Sequence, residues 1–218
     1  MYMSKIILFS FFLCNVYAWN PNNYPFIPAS ADSTKIREMI IEAQGENKRI
    51  LDIGCGKGYS TASSPGSLGI DSSKHNIKAA QKQFPNKKFK HSLINNEKDE
   101  SEEYDVVTSM FYLNNIPQHL RKKTIDTAIE IAKERVVVVD IDPDYQPDKN
   151  MLTKRIYLPD YMKNCRNDLI LFDEQVLVDG LLTIWVYNKK DDMYNKILKH
   201  SNNIYENNDI PSSYNFSN

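Results

Sequence analysis

Short apolar runs alternate with amphipathic segments through the middle of the chain. Apolar residues recur at helical spacing in three segments, which predict helices over residues 32–43, 73–84 and 117–132. Short apolar runs next to these segments predict buried strands at residues 49–53, 67–70, 88–91, 105–110 and 135–140. Strands that alternate with helices imply right-handed crossovers and a parallel sheet with helices on both faces.

The final third of the chain has a different pattern. Residues 169–178 and 181–187 form two β runs separated by Asp179-Gly180, a dipeptide typical of a tight hairpin. The chain is therefore predicted to be a doubly wound, Rossmann-like α/β fold with a mostly parallel seven-stranded sheet and an antiparallel C-terminal hairpin. This single domain is expected over residues 32–188, followed by a polar, Asn-rich tail over residues 189–218 with a helical turn at 193–198.

The N-terminus carries the features of an export signal. Lys5 precedes the apolar residues 6–14, and Val16-Tyr17-Ala18 follows them. The run is shorter than the roughly 20 apolar residues that span a bilayer, so we expect a secretory signal peptide over residues 1–18, cleaved near Ala18, rather than a permanent membrane span. An extended lead-in follows at residues 19–31, and the mature protein is expected in the secretory pathway or secreted. The alternative is an apolar N-terminal helix of a cytosolic protein.

Composition narrows the possible partners. The formal net charge is -1 and basic residues are spread along the chain, which disfavours a nucleic-acid partner. Without the predicted signal, only Cys55 and Cys165 remain. Two cysteines can form one disulfide, but their spacing gives no metal-binding motif, so no metal is predicted. No feature of the sequence specifies an oligomeric state.

A glycine-rich loop follows the first predicted strand. Gly54, Gly56 and Gly58 lack a β-carbon, which lets the backbone turn sharply and approach a ligand. Tyr59 stands where the dinucleotide fingerprint requires its third glycine, which disfavours a nicotinamide-dependent oxidoreductase. Asp71, at the end of the next strand, is placed to accept hydrogen bonds from ribose hydroxyls. Together these residues predict a nucleoside-containing ligand.

The order of these motifs resembles the class I S-adenosylmethionine-dependent methyltransferase family, in its small single-domain branch. The resemblance covers residues 34–188, with matching motifs at residues 50–58, 68–71, 104–114 and 135–142. It implies S-adenosylmethionine as the cofactor and assigns a role to eight residues. Asp52 would organise the methionine end, Gly54, Cys55 and Gly56 would approach the cofactor with their backbone, Asp71 would hold the ribose, Ser109 and Met110 would form the floor, and Ser92 stands near the family's adenine-binding position.

The segment between Asp52 and Asp71 is shorter than is usual in this family, so the helix after the glycine loop is expected to be shortened, with a turn at Pro65-Gly66. The long connection at residues 142–168 is a candidate lid over the site. Tyr157, Tyr161, Met162 and Trp185 could cap a substrate pocket, but they are predicted to pack in the core on the sheet instead.

Methyl transfer to an oxygen or carbon acceptor needs a base near the acceptor. His119, Tyr112 and Asp142 are candidates because they lie in loops expected after the fourth and fifth strands. The implied function is methyl transfer to a small-molecule or protein acceptor. The alternative is a secreted module of the same fold that binds the cofactor without turnover.

Overall fold

A computed structural model of the protein describes residues 31–94, 104–178 and 180–190. The predicted signal peptide, all of the lead-in except residue 31, and the helical turn at 193–198 lie outside the described residues. Their assignments, like the domain boundaries, stay predictions. Among the described helices, none is long and apolar enough to cross a bilayer.

Five helices, seven strands and one short 3-10 turn make up the described fold. The helices are α1 (Ala31–Glu42), α2 (Lys74–Gln83), α3 (Gln118–Ile131), α4 (Lys149–Lys154) and α5 (Leu158–Asp168), and the 3-10 turn is Leu113–Asn115. The strands are β1 (Ile50–Ile53), β2 (Leu68–Asp71), β3 (Phe89–His91), β4 (Tyr104–Met110), β5 (Ala132–Ile141), β6 (Asp173–Val178) and β7 (Leu182–Asn188).

All seven strands belong to one sheet, in the order β3-β2-β1-β4-β5-β7-β6. Strands β1 to β5 run parallel, whereas β7 is antiparallel to both β5 and β6. The predicted fold class is confirmed. The chain builds outward from β1 to β3, then returns to place β4 on the other side of β1. Such a reversal opens a crevice at the carboxyl ends of the two central strands, which is where ligands bind in open α/β sheets.

The central strands are apolar on both faces because helices cover both sides of the sheet. All four residues of β1 are buried, and neighbouring residues point to opposite sides. Leu51 and Ile53 belong to a core cluster that also contains residues of α3 and α5, while Ile50 belongs to a second cluster with Ile40 of α1. The carboxyl end of β1 is therefore held between two packed layers.

The structure shifts two predicted boundaries. The predicted strand 169–178 begins only at Asp173, because the chain turns after α5 and buries Leu169 and Phe172 as core residues of that turn. Ala132, predicted in the third helix, is the first residue of β5. An apolar residue suits either element, so the local pattern did not separate them.

The predicted shortened helix after the glycine loop is wrong, whereas the predicted turn at Pro65-Gly66 is confirmed. Residues 54–66 contain turns, a bend and irregular backbone, without a helix. Gly54, Gly56, Gly58 and Gly66 all have positive φ there, a conformation that a right-handed helix does not contain.

The prediction that residues 142–168 form a lid is wrong for α5, because this helix is part of the core. Helix α5 buries Leu158, Tyr161 and Cys165, and the Tyr161 hydroxyl donates a 2.9 Å hydrogen bond to the Ile141 carbonyl. The fully buried Arg121 of α3 binds Asp168, at the end of α5, with an Nε to Oδ2 distance of 2.6 Å. These contacts fix α5 in place. The prediction that Tyr161 and Trp185 pack in the core is confirmed, since both are buried.

Candidate functional site

A cavity of about 320 Å³ lies at the carboxyl ends of β2, β1 and β4, where the chain reversal predicts a crevice. Its wall combines the glycine loop after β1, the end of β2 and residues 110–112 after β4, with further side chains from α1, α2 and the segment before α5. The volume is near the lower end of the range of roughly 300–1,000 Å³ for small-molecule sites. The cavity therefore has room for one ligand of that class.

The glycine loop needs its glycines for two separate reasons. Gly54 and Gly56 have φ values of 70° and 55°, which side chains with a β-carbon rarely adopt. In addition, a β-carbon on Gly54 would overlap the Tyr112 ring. The amides of Gly54 and Cys55 both donate to the Ile70 carbonyl, at 2.9 and 3.0 Å. The loop is thereby fixed to β2 while its backbone lines the cavity.

Asp52 supports this loop from behind and does not line the cavity. Its carboxylate is completely buried, and Oδ2 accepts hydrogen bonds from the hydroxyls of Ser60 at 2.8 Å and Thr61 at 2.7 Å. Burial raises the pKa of Asp52, and these two hydrogen bonds partly offset that increase. Asp52 therefore acts on the site through the position of the glycine loop.

Asp71 holds the opposite edge of the cavity, at the end of β2. Its Oδ2 accepts from the Gly56 amide at 2.9 Å, and its Oδ1 accepts from the Ser73 amide at 2.8 Å and from Asn76 Nδ2 at 3.3 Å. Ser73 also caps α2 through the Asn76 amide. A carboxylate held in this way can accept hydrogen bonds from the hydroxyls of a bound ribose.

Met110, the last residue of β4, and the following Phe111 and Tyr112 form the wall of the cavity on this side. Phe111 has a φ of 60°, which is uncommon for a residue other than glycine. Its amide donates to the Val139 carbonyl at 2.8 Å, which ties this turn to β5. Ser109, the other residue expected in the floor, is buried without lining the cavity, and its hydroxyl has no hydrogen-bond partner.

Three other candidates lie away from the cavity wall. Ser92 is half-buried and its hydroxyl donates to the Leu93 carbonyl at 3.1 Å. His119 is exposed near the beginning of α3. Asp142 is buried, but its carboxylate accepts from Thr183 Oγ1 at 2.8 Å and from the Asp144 amide at 2.7 Å. The structure does not bring these residues to the cavity.

Tyr112 does line the cavity. Burial, followed by the charge of Asp71, raises the pKa of the Tyr112 hydroxyl above its usual value of 10.0. The hydroxyl is therefore neutral at physiological pH. It forms part of the wall but is a weak general base.

Two arginines of the cavity wall were missed by the sequence reasoning. Arg37 of α1 is 6% exposed, and its guanidinium carbon lies 4.4 Å from the centre of the Phe111 ring. The sequence did contain a signal for Arg37, because a charged residue three positions before the apolar Ile40 lies on the same, buried face of the helix. Arg155, between α4 and α5, had no comparable signal. Its Nη1 donates to Asn114 Oδ1 at 2.6 Å.

Among the described residues, no group of three or more His, Cys, Asp or Glu side chains could hold a metal ion. Cys55 and Cys165 are both buried and free. Burial is the main cause that raises the pKa of the Cys55 thiol, so the thiol stays protonated at the cavity wall.

The residues present fit S-adenosylmethionine. The positive-φ glycine backbone allows close approach of a ligand, and Asp71 offers a carboxylate to a ribose. Arg37, whose Nε has no hydrogen-bond partner, offers a cation to an anionic group.

Comparison with solved structures identifies proteins of the same fold. Magnesium protoporphyrin IX methyltransferase (ChlM) from Synechocystis PCC 6803, solved with bound SAM, is 16% identical, with a TM-score of 0.51 over 72% of this chain and 79% of that chain. The plantazolicin methyltransferase BpumL, in complex with a monoazolic desmethylPZN analog and SAH, is 17% identical, with a TM-score of 0.53 over 85% of this chain and 90% of that chain. Comparison with curated protein sequences gave no match.

The family comparison covers most of the described fold. Residues 31–172 match the family model described as a methyltransferase domain. The matched stretch runs from α1 to the turn after α5, so it contains every element that contributes to the cavity wall. Since it also spans more than half of the 218 residues, the chain belongs to the methyltransferase domain family.

Proposed function

We propose that this methyltransferase acts on a small molecule or a protein side chain whose accepting atom needs no general base from the enzyme. The observation that carries the proposal is the cavity at the ends of β2, β1 and β4. Its described lining includes the glycine loop and the Asp71 carboxylate, but no side chain that is available as a base. When bound, S-adenosylmethionine supplies a methyl group on a positively charged sulfur. The protein then contributes chiefly position and orientation.

The cavity wall offers no available proton acceptor among its described residues. Asp71 is the only carboxylate among these residues, and its acceptor capacity is taken up by three hydrogen bonds from the protein and by the ribose hydroxyls assigned to it. Tyr112 and Cys55 keep their protons because their pKa values are raised. Acceptors that react without losing a proton first, such as a carboxylate, a thiolate or a neutral amine, therefore suit this site better than an alcohol.

The charges of the cavity wall also favour a negatively charged acceptor. Arg37, Lys57 and Arg155 supply three positive charges, against one negative charge from Asp71. Lys57 is exposed and Arg155 is half-buried, so these two are accessible to a molecule that arrives from solvent. The names of two structural neighbours, which concern magnesium protoporphyrin IX and plantazolicin, give precedent for organic acceptors on this fold.

The apolar residues 6–14 after Lys5 support a further part of the proposal, that the protein enters the secretory pathway. Sequencing the N-terminus of protein recovered from the medium of expressing cells tests this. Mature chains that begin near Trp19 support export, and retention of intact chain inside the cells contradicts it.

Calorimetric titration with S-adenosylhomocysteine, followed by an assay of methyl transfer from labelled S-adenosylmethionine, tests the reaction. The assay uses matched acceptors that carry a carboxylate, a thiol, an amine or an alcohol. We expect turnover with one of the first three. The Tyr112→Phe variant is the control, because it removes the tyrosine hydroxyl next to the end of β4. If the reaction uses no base, this variant should keep the turnover rate within about threefold.

Preference for the alcohol, or a loss of more than about 100-fold in Tyr112→Phe, would show that a base takes part and would refute the proposal. Binding of the cofactor product without turnover on any acceptor would instead support a secreted binding module.

A further inference from the structure

Arg37 is a buried cation that forms no ion pair with any described carboxylate. Only 6% of the residue is exposed, and it lines the cavity. Its Nη1 donates one long hydrogen bond, 3.4 Å, to the Met110 carbonyl, and its Nε has no partner. The charges of Asp52 and Asp140 act on it from a distance. A guanidinium has five N–H donors, so much of its capacity is unused.

Burial of a charged group without a partner is unfavourable, and proteins generally satisfy such groups. The contact with Phe111 stabilises the cation through its ring face. Desolvation nevertheless lowers the pKa of Arg37, which shows that the attractive charges do not fully compensate for burial. An anionic group that entered the cavity would supply the missing partner.

The sheet order indicates which part of the ligand reaches Arg37. Asp71 lies at the end of β2, the glycine loop follows β1, and Arg37 contacts Met110 and Phe111 at the end of β4. These strands are neighbours in the order β2-β1-β4. A nucleoside whose ribose binds Asp71 therefore extends its remaining atoms across the glycine loop toward β4.

We propose that Arg37 binds the methionyl carboxylate of S-adenosylmethionine and so anchors the amino-acid end of the cofactor. This rests on the proposed function, since it requires a ribose at Asp71. The other cations of the cavity are placed differently. Lys57 is exposed at the rim, and Arg155 is engaged by Asn114. Arg37 is the buried one, with a free donor on its side chain.

The test compares two ligands on one protein preparation. S-adenosylhomocysteine and its decarboxylated analogue differ only in the carboxylate, so the ratio of their dissociation constants isolates that group. We expect Arg37→Gln to weaken S-adenosylhomocysteine binding by roughly 10- to 100-fold, as expected for loss of a hydrogen bond between charged groups. Binding of the decarboxylated analogue should change by less than about threefold.

Two further variants make the test robust. Lys57→Gln removes a positive charge at the cavity rim and should leave the ratio of the two dissociation constants unchanged. If Arg37→Gln does not fold, Arg37→Lys keeps the charge but removes the fork of donors, and it should weaken only the binding of the carboxylate-bearing ligand.

Equal losses for both ligands would assign Arg37 a structural role and overturn the proposal. So would unchanged S-adenosylhomocysteine binding together with a raised KM for the acceptor, because Arg37 would then hold the acceptor. If the unaltered protein binds neither ligand, this proposal and the proposed function both fail. If the ligand ratio behaves as expected but no acceptor is methylated, only the proposed function fails.

Discussion

Asp140, near the end of β5, makes the stability of this protein dependent on pH. The residue is completely buried, and burial raises its pKa from 3.8 to about 6. Three hydrogen bonds oppose the increase. Oδ1 accepts from Asn114 Nδ2 at 2.6 Å and from the Ile141 amide at 2.8 Å, and Oδ2 accepts from the Asn114 amide at 3.2 Å. Desolvation of the carboxylate therefore outweighs these hydrogen bonds.

The direction of the effect follows from proton binding. Between pH 3.8 and about 6, the folded state holds the Asp140 proton while the unfolded state has released it. The free energy of unfolding therefore decreases as the pH rises through this interval. At about 1.4 kcal/mol for each pH unit, the contribution lost by neutral pH is about 3 kcal/mol. Below pH 3.8 this contribution is fully present.

Urea unfolding of the unaltered protein and of Asp140→Asn, compared at several pH values, measures this contribution. The variant has an added cost that does not depend on pH, because its amide nitrogen faces the Asn114 backbone donor. The stability advantage of the unaltered protein over the variant should shrink by about 2.4 kcal/mol between roughly pH 4 and pH 7.5. A difference that is constant, or that grows with pH, would refute the reasoning.

Two further substitutions test the glycine loop and the core. Gly54→Ala should destabilise the protein by more than the roughly 1–2 kcal/mol expected for Gly45→Ala, because both glycines have positive φ but only Gly54 contacts the Tyr112 ring. It should also abolish detectable calorimetric binding of S-adenosylhomocysteine, and equal losses of stability in the two variants would contradict this. Asp168→Ala should cost about 2–3 kcal/mol in urea unfolding, since it removes the 2.6 Å partner of the fully buried Arg121 and leaves that guanidinium with Asp160 at 2.9 Å. The double variant Arg121→Met/Asp168→Leu should recover most of that loss, and a double variant as unstable as the single one would argue against the weakened pairing of the buried charge as the cause.

The order of the strands and helices was predictable because each element is specified by residues close together in sequence. Val136 to Val139 are all buried in the structure, as their uninterrupted apolar run predicts. The boundaries at residues 132 and 173 were less predictable, because an apolar residue fits the end of a helix, a turn or a strand. Helix α5 was missed because the polar residues on its exposed face hid the spacing of Leu158, Tyr161 and Cys165.

The candidate site divides in the same way. Gly54, Gly56 and Asp71 were predicted correctly because each lies at the end of a strand or in the turn directly after it, which the local sequence pattern reveals. Asp52 was assigned to the site from the family resemblance, but the direction of its side chain was not predictable, since only the folded loop places Ser60 and Thr61 around it. His119 was an unreliable candidate because a residue near the start of a helix can point to solvent as easily as into a crevice.

The sequence by itself determined the alternation of strands and helices, the glycine loop and the carboxylate at the end of β2. These are local features, since short-range apolar spacing and backbone conformation depend on neighbouring residues. The tertiary structure decided that Arg37 and Arg155 reach a cavity formed mainly by β1, β2 and β4. Segments more than one hundred residues apart meet there because the packing of helices on the sheet brings them together, and that packing is set by the whole core rather than by any one segment.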